Sequence, residues 1–315
     1  MQAAIVIVLA ATVVFVLVHL APGDPFSTSL DVPSFSPETR DRLRAQYGYD
    51  KPIATQYALW LRNIARGDLG ISHNAARPVA DVMAEAIPST LLLMGTALVL
   101  GLLGGVGLGA WQAARRGTRA ARLSNVAALT LLSVPEFLLA FAAVAVLAGR
   151  WRLFPIGGMI DFAQHDSMSF VGRVLDIVRH LTLPALTLGL VVAAAVSRYQ
   201  RTEMLAVLPE DYVRTARAKG APESRVVIRH ALRNALGPII QIAGLLLPAL
   251  VGGAVFIEKI FGWPGMGLTM VEAVLGRDYA LVLGGVLCTS TLVVLGGLLA
   301  DIAAAFADPR VGRTA

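Results

Sequence analysis

Long apolar runs separated by polar segments dominate the pattern along this chain. A helix needs about 20 residues to cross the roughly 30 Å of hydrocarbon in a bilayer, and all but the fourth run reach that length comfortably. The pattern therefore predicts an all-α integral membrane protein with about six transmembrane helices. The apolar runs cover residues 1–23, 86–114, 123–149, 181–197, 234–257 and 279–300.

The placement of charge predicts the orientation of these spans. The 315 residues are 56% hydrophobic and carry a formal net charge of +6. Basic residues concentrate in 112–122, in 198–233 and at the C-terminal tail, whereas 24–85 holds seven basic and eight acidic residues. Because basic loops stay in the cytoplasm, we expect both termini inside and a large helical first loop outside. Basicity then reflects topology, and we expect no nucleic-acid partner.

The first apolar run is not preceded by the basic region that a signal peptide has. We interpret the run as a retained helix and expect the true N-terminus to lie a little upstream of Met1. The first domain is predicted over 1–88, the core transmembrane domain over 89–310, and a tail over 311–315. In the first loop, short helices are predicted over 36–48 and over 53–66, the second amphipathic and lying on the membrane or on other spans.

Motifs for chemistry are missing from the sequence. Gly-Lys never occurs, so the chain has no Walker A loop, and HExxH, CxxC and GxSxG are also missing. Cys288 is the single cysteine and is interpreted as a small core residue. His165 and His180 lie in one mixed-charge loop and are interpreted as solvated residues. We expect neither an enzyme nor a cofactor or metal site in this chain.

A charged stretch between two apolar runs, residues 211–238, reads DYVRTARAKGAPESRVVIRHALRNALGP. Helix formers lead to Gly220, which suits a left-handed helix end, and Pro222 suits the first position of a new helix. The stretch is either a basic loop that only fixes topology or a rigid helix–corner–helix elbow that inserts into another protein. The glycine and the proline favour the elbow.

The same stretch resembles the cytoplasmic "EAA" loop of bacterial ABC importer permeases. Its characteristic positions are occupied here by Thr215-Ala216, Gly220 and Pro238. The sequence of the stretch is similar to that of the dipeptide, oligopeptide and nickel branch. Arg214 replaces the opening glutamate of that motif. The resemblance implies a coupling helix at about 209–221 that transmits ATPase motion. The residues assigned to ATPase coupling are Asp211, Tyr212, Val213, Arg214, Thr215, Ala216, Arg217, Ala218, Lys219, Gly220, Ala221 and Pro222, with Tyr212, Val213, Ala216 and Ala218 buried against the ATPase.

Further motifs extend the resemblance from about residue 20 to residue 310. They include GDLG at 67–70, Arg277-Asp278-Tyr279 and an outer loop turn. That turn comprises Phe261, Trp263, Pro264, Gly265 and Gly267, precedes a predicted short helix at 268–275, and has Trp263 as an interfacial anchor.

The resemblance also implies partners. These are a second homologous permease, two ATPase subunits that hold ATP and Mg²⁺, an extracytoplasmic substrate-binding protein, and membrane lipid. The first outer loop is either the docking surface for the binding protein or a structural lid. The implied solute is a peptide or a related small solute. A proton-coupled secondary transporter that uses Glu136 is the alternative, and a purely structural subunit is a third.

Two sets of residues stand out inside the apolar runs. Gly101, Gly105 and Gly109 recur every fourth residue and predict a face where another helix packs closely. Ser133, Pro135 and Glu136 lie near the middle of the third run. A carboxylate there is costly unless it faces water or a partner, so Glu136 either lines a translocation path or forms a structural hydrogen bond.

Overall fold

A computed structural model describes residues 2–20 and 50–307 of this mostly helical protein. The predicted short helix at 36–48 and the tail at 311–315 lie outside the described residues. The main helices are α1 Gln2–Leu20, α2 Ile53–Ile64, α3 Val79–Ala114, α4 Arg119–Ser133, α5 Glu136–Ala143, α6 Phe170–Val207, α7 Asp211–Ala218, α8 Gly237–Phe261, α9 Met266–Leu275 and α10 Tyr279–Ala307, and the strands are β1 Ile71–Ser72 and β2 Arg77–Pro78. Helical turns also continue α5 over Val144–Arg150, form a short turn at His165–Ser167, and follow the corner after α7 over Glu223–Arg225, Val226–Leu232 and Arg233–Ala235.

Several helices have the length and apolarity of membrane spans. Among the described residues these are α3, α6 and the first 21 residues of α10. A fourth span results if α4 and the bent helix after it, Glu136–Arg150, are counted as one. The 19-residue α1 and the 25-residue α8 coincide with the first and fifth predicted spans. The structure thus bears out an integral membrane helical fold, and six spans remain a prediction.

The chain divides into two compact units. The first comprises Met1–Ser89 and Gly265–Val294, and the second comprises Thr90–Pro264 and Leu295–Ala315. In the first unit, the apolar core is formed by α3, α9 and α10 through residues such as Met83, Met266 and Leu281.

The amphipathic α2 packs on α1 within the first unit. The Tyr57 and Trp60 rings lie 5.1 and 5.3 Å from the Phe15 ring, centroid to centroid. The Tyr57 hydroxyl also lies 2.7 Å from the Thr12 hydroxyl. This helix was predicted to lie either on the membrane or on other spans, and in the structure it packs on the first predicted span. Aromatic pairs at this separation add to the free energy of simple area burial.

The second unit is organised around α6, which contacts α4, α5 and α8. Its buried core includes Leu93, Leu188 and Val196. The predicted fourth span covered only 181–197, but α6 extends about ten residues further at each end because its polar flanks also form helix. α6 runs without interruption through Pro184.

Two prolines mark helix starts in the second unit. The third run is not one span, because α4 and the helix that follows it meet at 103° across Val134 and Pro135. Val134 is extended at ψ 126°, as expected for a residue before proline. Pro238 lies in the first turn of α8. There its missing N–H leaves no partner unpaired.

Candidate coupling and translocation sites

The charged stretch folds into a tight corner. α7 ends at Ala218, and Gly220, two residues further on, has a φ of +78° in the left-handed region. The Gly220 N–H donates to Arg217 O at 2.9 Å and the Ala221 N–H to Ala216 O at 3.3 Å. A Cβ added at Gly220 would meet no atom within 4 Å, so the backbone angle alone demands glycine. Pro222 precedes the next helical turn as its N-cap, one position earlier than predicted.

One face of α7 is buried within the chain itself. Val213 and Ala216 pack against Val226, together with Val207 and Ala221. The expectation that Val213 and Ala216 contact an ATPase is therefore wrong, because their side chains hold α7 against the helix that follows the corner. This packing favours a rigid elbow over a loop that only fixes topology.

The opposite face of α7 is open. Tyr212 is 40% exposed, and Ala218 is also exposed. The exposed residues of α7 and its end are Asp211, Tyr212, Arg214, Thr215, Arg217, Ala218, Lys219 and Gly220. This surface mixes an aromatic ring, small side chains and cations.

Arg217 closes the corner with a two-point ion pair. Its guanidinium donates to the two carboxylate oxygens of Glu223 at 3.1 and 2.7 Å. This hydrogen bond lowers the pKa of Glu223 and raises that of Arg217. Both side chains are substantially exposed, so the pair contributes at most about 1 kcal/mol of stability. Arg217 is thus engaged inside the elbow, whereas Arg214 only approaches Asp211 at 3.6 Å.

The glycines of α3 lie directly against α6. A Cβ added at Gly101 would lie 2.5 Å from Val192 Cβ, and one at Gly105 would lie 2.6 Å from Val196 Cβ. At Gly109 the nearest atom would be the Ser197 carbonyl oxygen, at 2.5 Å. No side chain fits at these three positions of α3 unless the two helices move apart. We refer to Gly101, Gly105 and Gly109 as the glycine seam.

The break between α4 and α5 exposes polar groups. The Ser133 hydroxyl donates to Leu129 O at 3.0 Å and the residue is exposed. Pro135 is the N-cap of α5 and Glu136 its first residue. Glu136 is half-buried, and it has no hydrogen bond or ion pair with any other described residue. A carboxylate at a helix start is favoured by the helix dipole.

The C-terminal end of α8 is anchored by buried groups. Glu258 is fully buried and accepts a hydrogen bond from the Thr90 hydroxyl at 2.7 Å. Gly262 takes a left-handed φ of +59°, and the Trp263 N–H donates to Glu258 O at 2.9 Å. Glu258 belongs to none of the motifs predicted from the sequence, although it lies three residues before Phe261.

The predicted outer loop turn is shorter than expected. Phe261 ends α8 and Gly267 belongs to α9, so only Gly262–Gly265 is non-helical. Pro264 is exposed within it. Phe261 and Trp263 are buried in the core of the second unit. Trp263 as an interfacial anchor is therefore wrong.

A β-hairpin that the sequence did not predict holds an acidic residue of the first unit. Asp278 is fully buried and accepts from the Ser72 hydroxyl at 2.5 Å, the Asn74 N–H at 3.0 Å and the Leu281 N–H at 3.1 Å. It joins the hairpin β1–β2 to the start of α10. Burial lowers the pKa of neighbouring His73, with Asp278 opposing that effect. We refer to Asp278 and its three donors as the hairpin clamp.

The two loop histidines converge on one carboxylate. His165 Nδ1 lies 2.7 Å and His180 Nδ1 3.1 Å from the Asp176 oxygens. All three side chains are at most 14% exposed, so the interpretation as solvated residues is wrong. The arrangement ties the loop to α6. Within residues 2–20 and 50–307, no group of three His, Cys, Asp or Glu residues could hold a metal ion.

Comparison with known proteins covers nearly the whole chain. Residues 105–313 match the family described as binding-protein-dependent transport system inner membrane component, and residues 1–94 match its N-terminal counterpart. The oligopeptide transport system permease protein AppB of Bacillus subtilis is 37% identical, over 94% of this chain and 92% of AppB. The dipeptide transport system permease protein DppB of Escherichia coli is 36% identical over the same shares.

A solved structure shares the fold. An inward-facing structure of the MetNI methionine ABC transporter matches with a TM-score of 0.54, at 17% identity, over 72% of this chain and 96% of the matched chain. At that identity the likeness concerns the fold alone.

Proposed function

This chain belongs to the family of binding-protein-dependent transport system inner membrane components, and we propose that it is the permease subunit of an ATP-driven ABC importer for di- or oligopeptides. The observation that carries the proposal is identity of 36–37% to two peptide permeases along more than nine-tenths of the chain. Its location is the bacterial inner membrane, with several apolar helices to span it.

The energy for import comes from other chains in this proposal. The sequence contains no Gly-Lys dipeptide and so no phosphate-binding Walker A loop. Two ATPase subunits would therefore bind ATP and Mg²⁺, and a second homologous permease would complete the path. An extracytoplasmic binding protein would deliver the peptide. We further propose six spans with both termini in the cytoplasm, and an outer first domain over 1–88 that docks the binding protein.

The elbow is proposed to transmit ATPase motion into the second unit. The buried face of α7 fixes it to the helix after the corner, so a push on its exposed face moves both helices together. Tyr212, Thr215 and Ala218 recur at helical spacing on that face and suit a groove on an ATPase. Lys219 and Arg214 supply cations at its edge, which orient a partner more than they add net affinity.

The break between α4 and α5 is proposed to line the translocation path. Pro135 ends one helix and Glu136 opens the next, with the Ser133 hydroxyl exposed beside them. We expect Glu136→Gln to change the rate of peptide uptake or the preference between peptides by several-fold, because the charge facing the path is removed. Uptake by reconstituted complexes measures this. Unchanged rate and preference would leave Glu136 a structural residue.

The proposed function is tested by isolating the assembly. The tagged chain, purified in mild detergent, should bring a second permease and one or two Walker A proteins. With its binding protein, the assembly in liposomes should take up a dipeptide such as alanyl-phenylalanine only when ATP is present. Recovery of the chain alone, with uptake that a protonophore stops and ATP depletion does not, would instead support the proton-coupled alternative.

The elbow is tested at Gly220. We expect Gly220→Val to lower uptake per ATP hydrolysed at least tenfold, because a β-branched residue is disfavoured at φ +78°. Gly220→Asn is the matched control, since asparagine tolerates the left-handed region, and added atoms have room there. Membrane amounts of both variants are measured by immunoblot. Normal coupling in Gly220→Val would refute the elbow's role.

A further inference from the structure

A cavity of about 550 Å³ lies between α4 and α6 in the second unit. Its volume falls within the roughly 300–1,000 Å³ of small-molecule sites. Residues of both helices line it. The lining residues are Asn125, Leu129 and Leu132 from α4, and Ala195, Arg198, Tyr199, Arg201, Thr202 and Glu203 from α6.

The lining separates into an apolar and a polar part along the helices. Leu129, Leu132 and Ala195 lie in the apolar runs of the sequence. The charged residues come later along α6, in the turns that lead to the elbow. In the predicted topology, α4 begins and α6 ends on the cytoplasmic side, so the polar part faces the cytoplasm.

Charges of both signs border the cavity. Arg198, Arg201 and Glu203 all line it. Arg198 is exposed, whereas Arg201 and Glu203 are half-buried. Within the described part of the chain, none of these three charged groups forms an ion pair or a side-chain hydrogen bond. Partly buried charges without partners in the chain are suited to bind charges of a ligand, since leaving them unpaired costs free energy.

A zwitterion of peptide size satisfies this arrangement better than a simple anion. A guanidinium binds a carboxylate through a planar fork of donors, and Glu203 is the acceptor for an ammonium group. Leu129 and Leu132 offer an apolar wall for a side chain. A phosphate or other anion would meet the arginines but would also face the Glu203 carboxylate.

We propose that this cavity binds a small peptide through its free carboxyl and amino termini, at the cytoplasmic end of the translocation path. The inference rests on the proposed function, because the path residues adjoin the cavity wall. Ser133 follows Leu132 directly, and its hydroxyl donates to the Leu129 carbonyl at 3.0 Å. The carboxylate binds Arg198 and Arg201, and the ammonium group binds Glu203.

The test uses the whole complex in nanodiscs, without the binding protein, so that only the membrane subunits can hold a ligand. Equilibrium dialysis measures binding of radiolabelled alanyl-phenylalanine and of its N-acetylated, C-amidated derivative. We expect the derivative to bind at least tenfold more weakly. Arg201→Gln and Glu203→Gln should each weaken binding of the free dipeptide about tenfold, with Arg201→Lys intermediate because it keeps the charge and loses the fork.

Arg116→Gln is the matched control, because it removes an exposed cation of the loop before α4 that is outside the cavity. Its dipeptide binding should equal that of the unmodified chain. Equal binding by Arg201→Gln, Glu203→Gln and the unmodified chain would overturn the inference. A second outcome would also overturn it: no dipeptide binds, and phosphatidylethanolamine co-purifies with the unmodified chain but not with Arg201→Gln. The occupant would then be a lipid headgroup.

ATP-driven uptake by the same complex with its binding protein distinguishes failure of the cavity assignment from failure of the proposed function. Uptake of alanyl-phenylalanine without measurable binding in dialysis overturns the cavity assignment and leaves the peptide importer intact. If no peptide is taken up under any condition, the proposed function itself fails.

Discussion

Gly109→Ala is expected to prevent stable packing of α3 on α6, with a destabilisation of about 3 kcal/mol or more. Overpacking a dense core usually costs about 1–3 kcal/mol, because side chains adjust. Here the added Cβ would lie 2.5 Å from the Ser197 carbonyl oxygen and 3.0 Å from the Arg201 nitrogen. Both are backbone atoms, so relief requires the two helices to separate. We expect most of the variant to aggregate on extraction.

Gly107→Ala is the matched control for the glycine seam. Gly107 lies two residues away on the same helix, and an added Cβ meets no atom within 4 Å. Alanine is the better helix former by about 1 kcal/mol, so this variant should be as stable as the unmodified chain or slightly more. Fluorescence-detected size-exclusion chromatography after heating measures both variants. Equal stability of the two would show that the helices can separate at little cost.

The seam shows what the sequence can predict. Helical spacing alone places Gly101, Gly105 and Gly109 on one face, and glycine has a single physical use there, close approach of a backbone. The identity of the partner helix could not be predicted, since nothing in the glycine pattern specifies α6. The apolar runs likewise predicted the position of α6 but not its length of 38 residues. Hydropathy detects only the apolar part of a helix, and polar turns continue α6 beyond that part at both ends.

Burial was the main source of error at single residues. Tryptophan is common at membrane interfaces and also in cores, so composition could not tell that Trp263 would be fully buried. At the elbow, Val213 and Ala216 were predicted to be buried, and both lie on the buried face of α7. Whether that face meets another protein or its own chain depends on Val226, which follows a turn whose angle only the structure gives.

Long-range polar contacts are the features least visible in the sequence. Ser72 and Asp278 both lie in short family-like motifs, but they are 206 residues apart. A two-residue strand such as β1 is too short to produce a periodic signal. Thr90 and Glu258 meet in the same way across 168 residues. Motif resemblance identified Asp278, and it could not indicate which residue pairs with it.

Asp278→Ala is expected to destabilise the first unit by about 3–5 kcal/mol. The substitution leaves the Ser72 hydroxyl and the Asn74 and Leu281 N–H groups without their acceptor, and each unsatisfied buried group costs about 1–3 kcal/mol. The bond to Leu281 is also the cap of α10, and partial access of water reduces the sum. Asp278→Asn keeps one acceptor oxygen and should cost less than half as much.

The single thiol of the chain provides the measurement. Cys288 packs at the edge of the apolar core of the first unit, so its labelling by a thiol-reactive dye during heating follows unfolding of that unit. We expect Asp278→Ala to expose Cys288 at a temperature well below that of the unmodified chain. Asp68→Ala is the matched control, because Asp68 caps the exposed Gly70 N–H at 2.9 Å just before the same hairpin, and its loss should cost under about 1 kcal/mol. If both variants release Cys288 at the same temperature, the hairpin clamp contributes no more than a surface turn, and the hairpin must be held by the apolar contacts of Val79 and Leu281 instead.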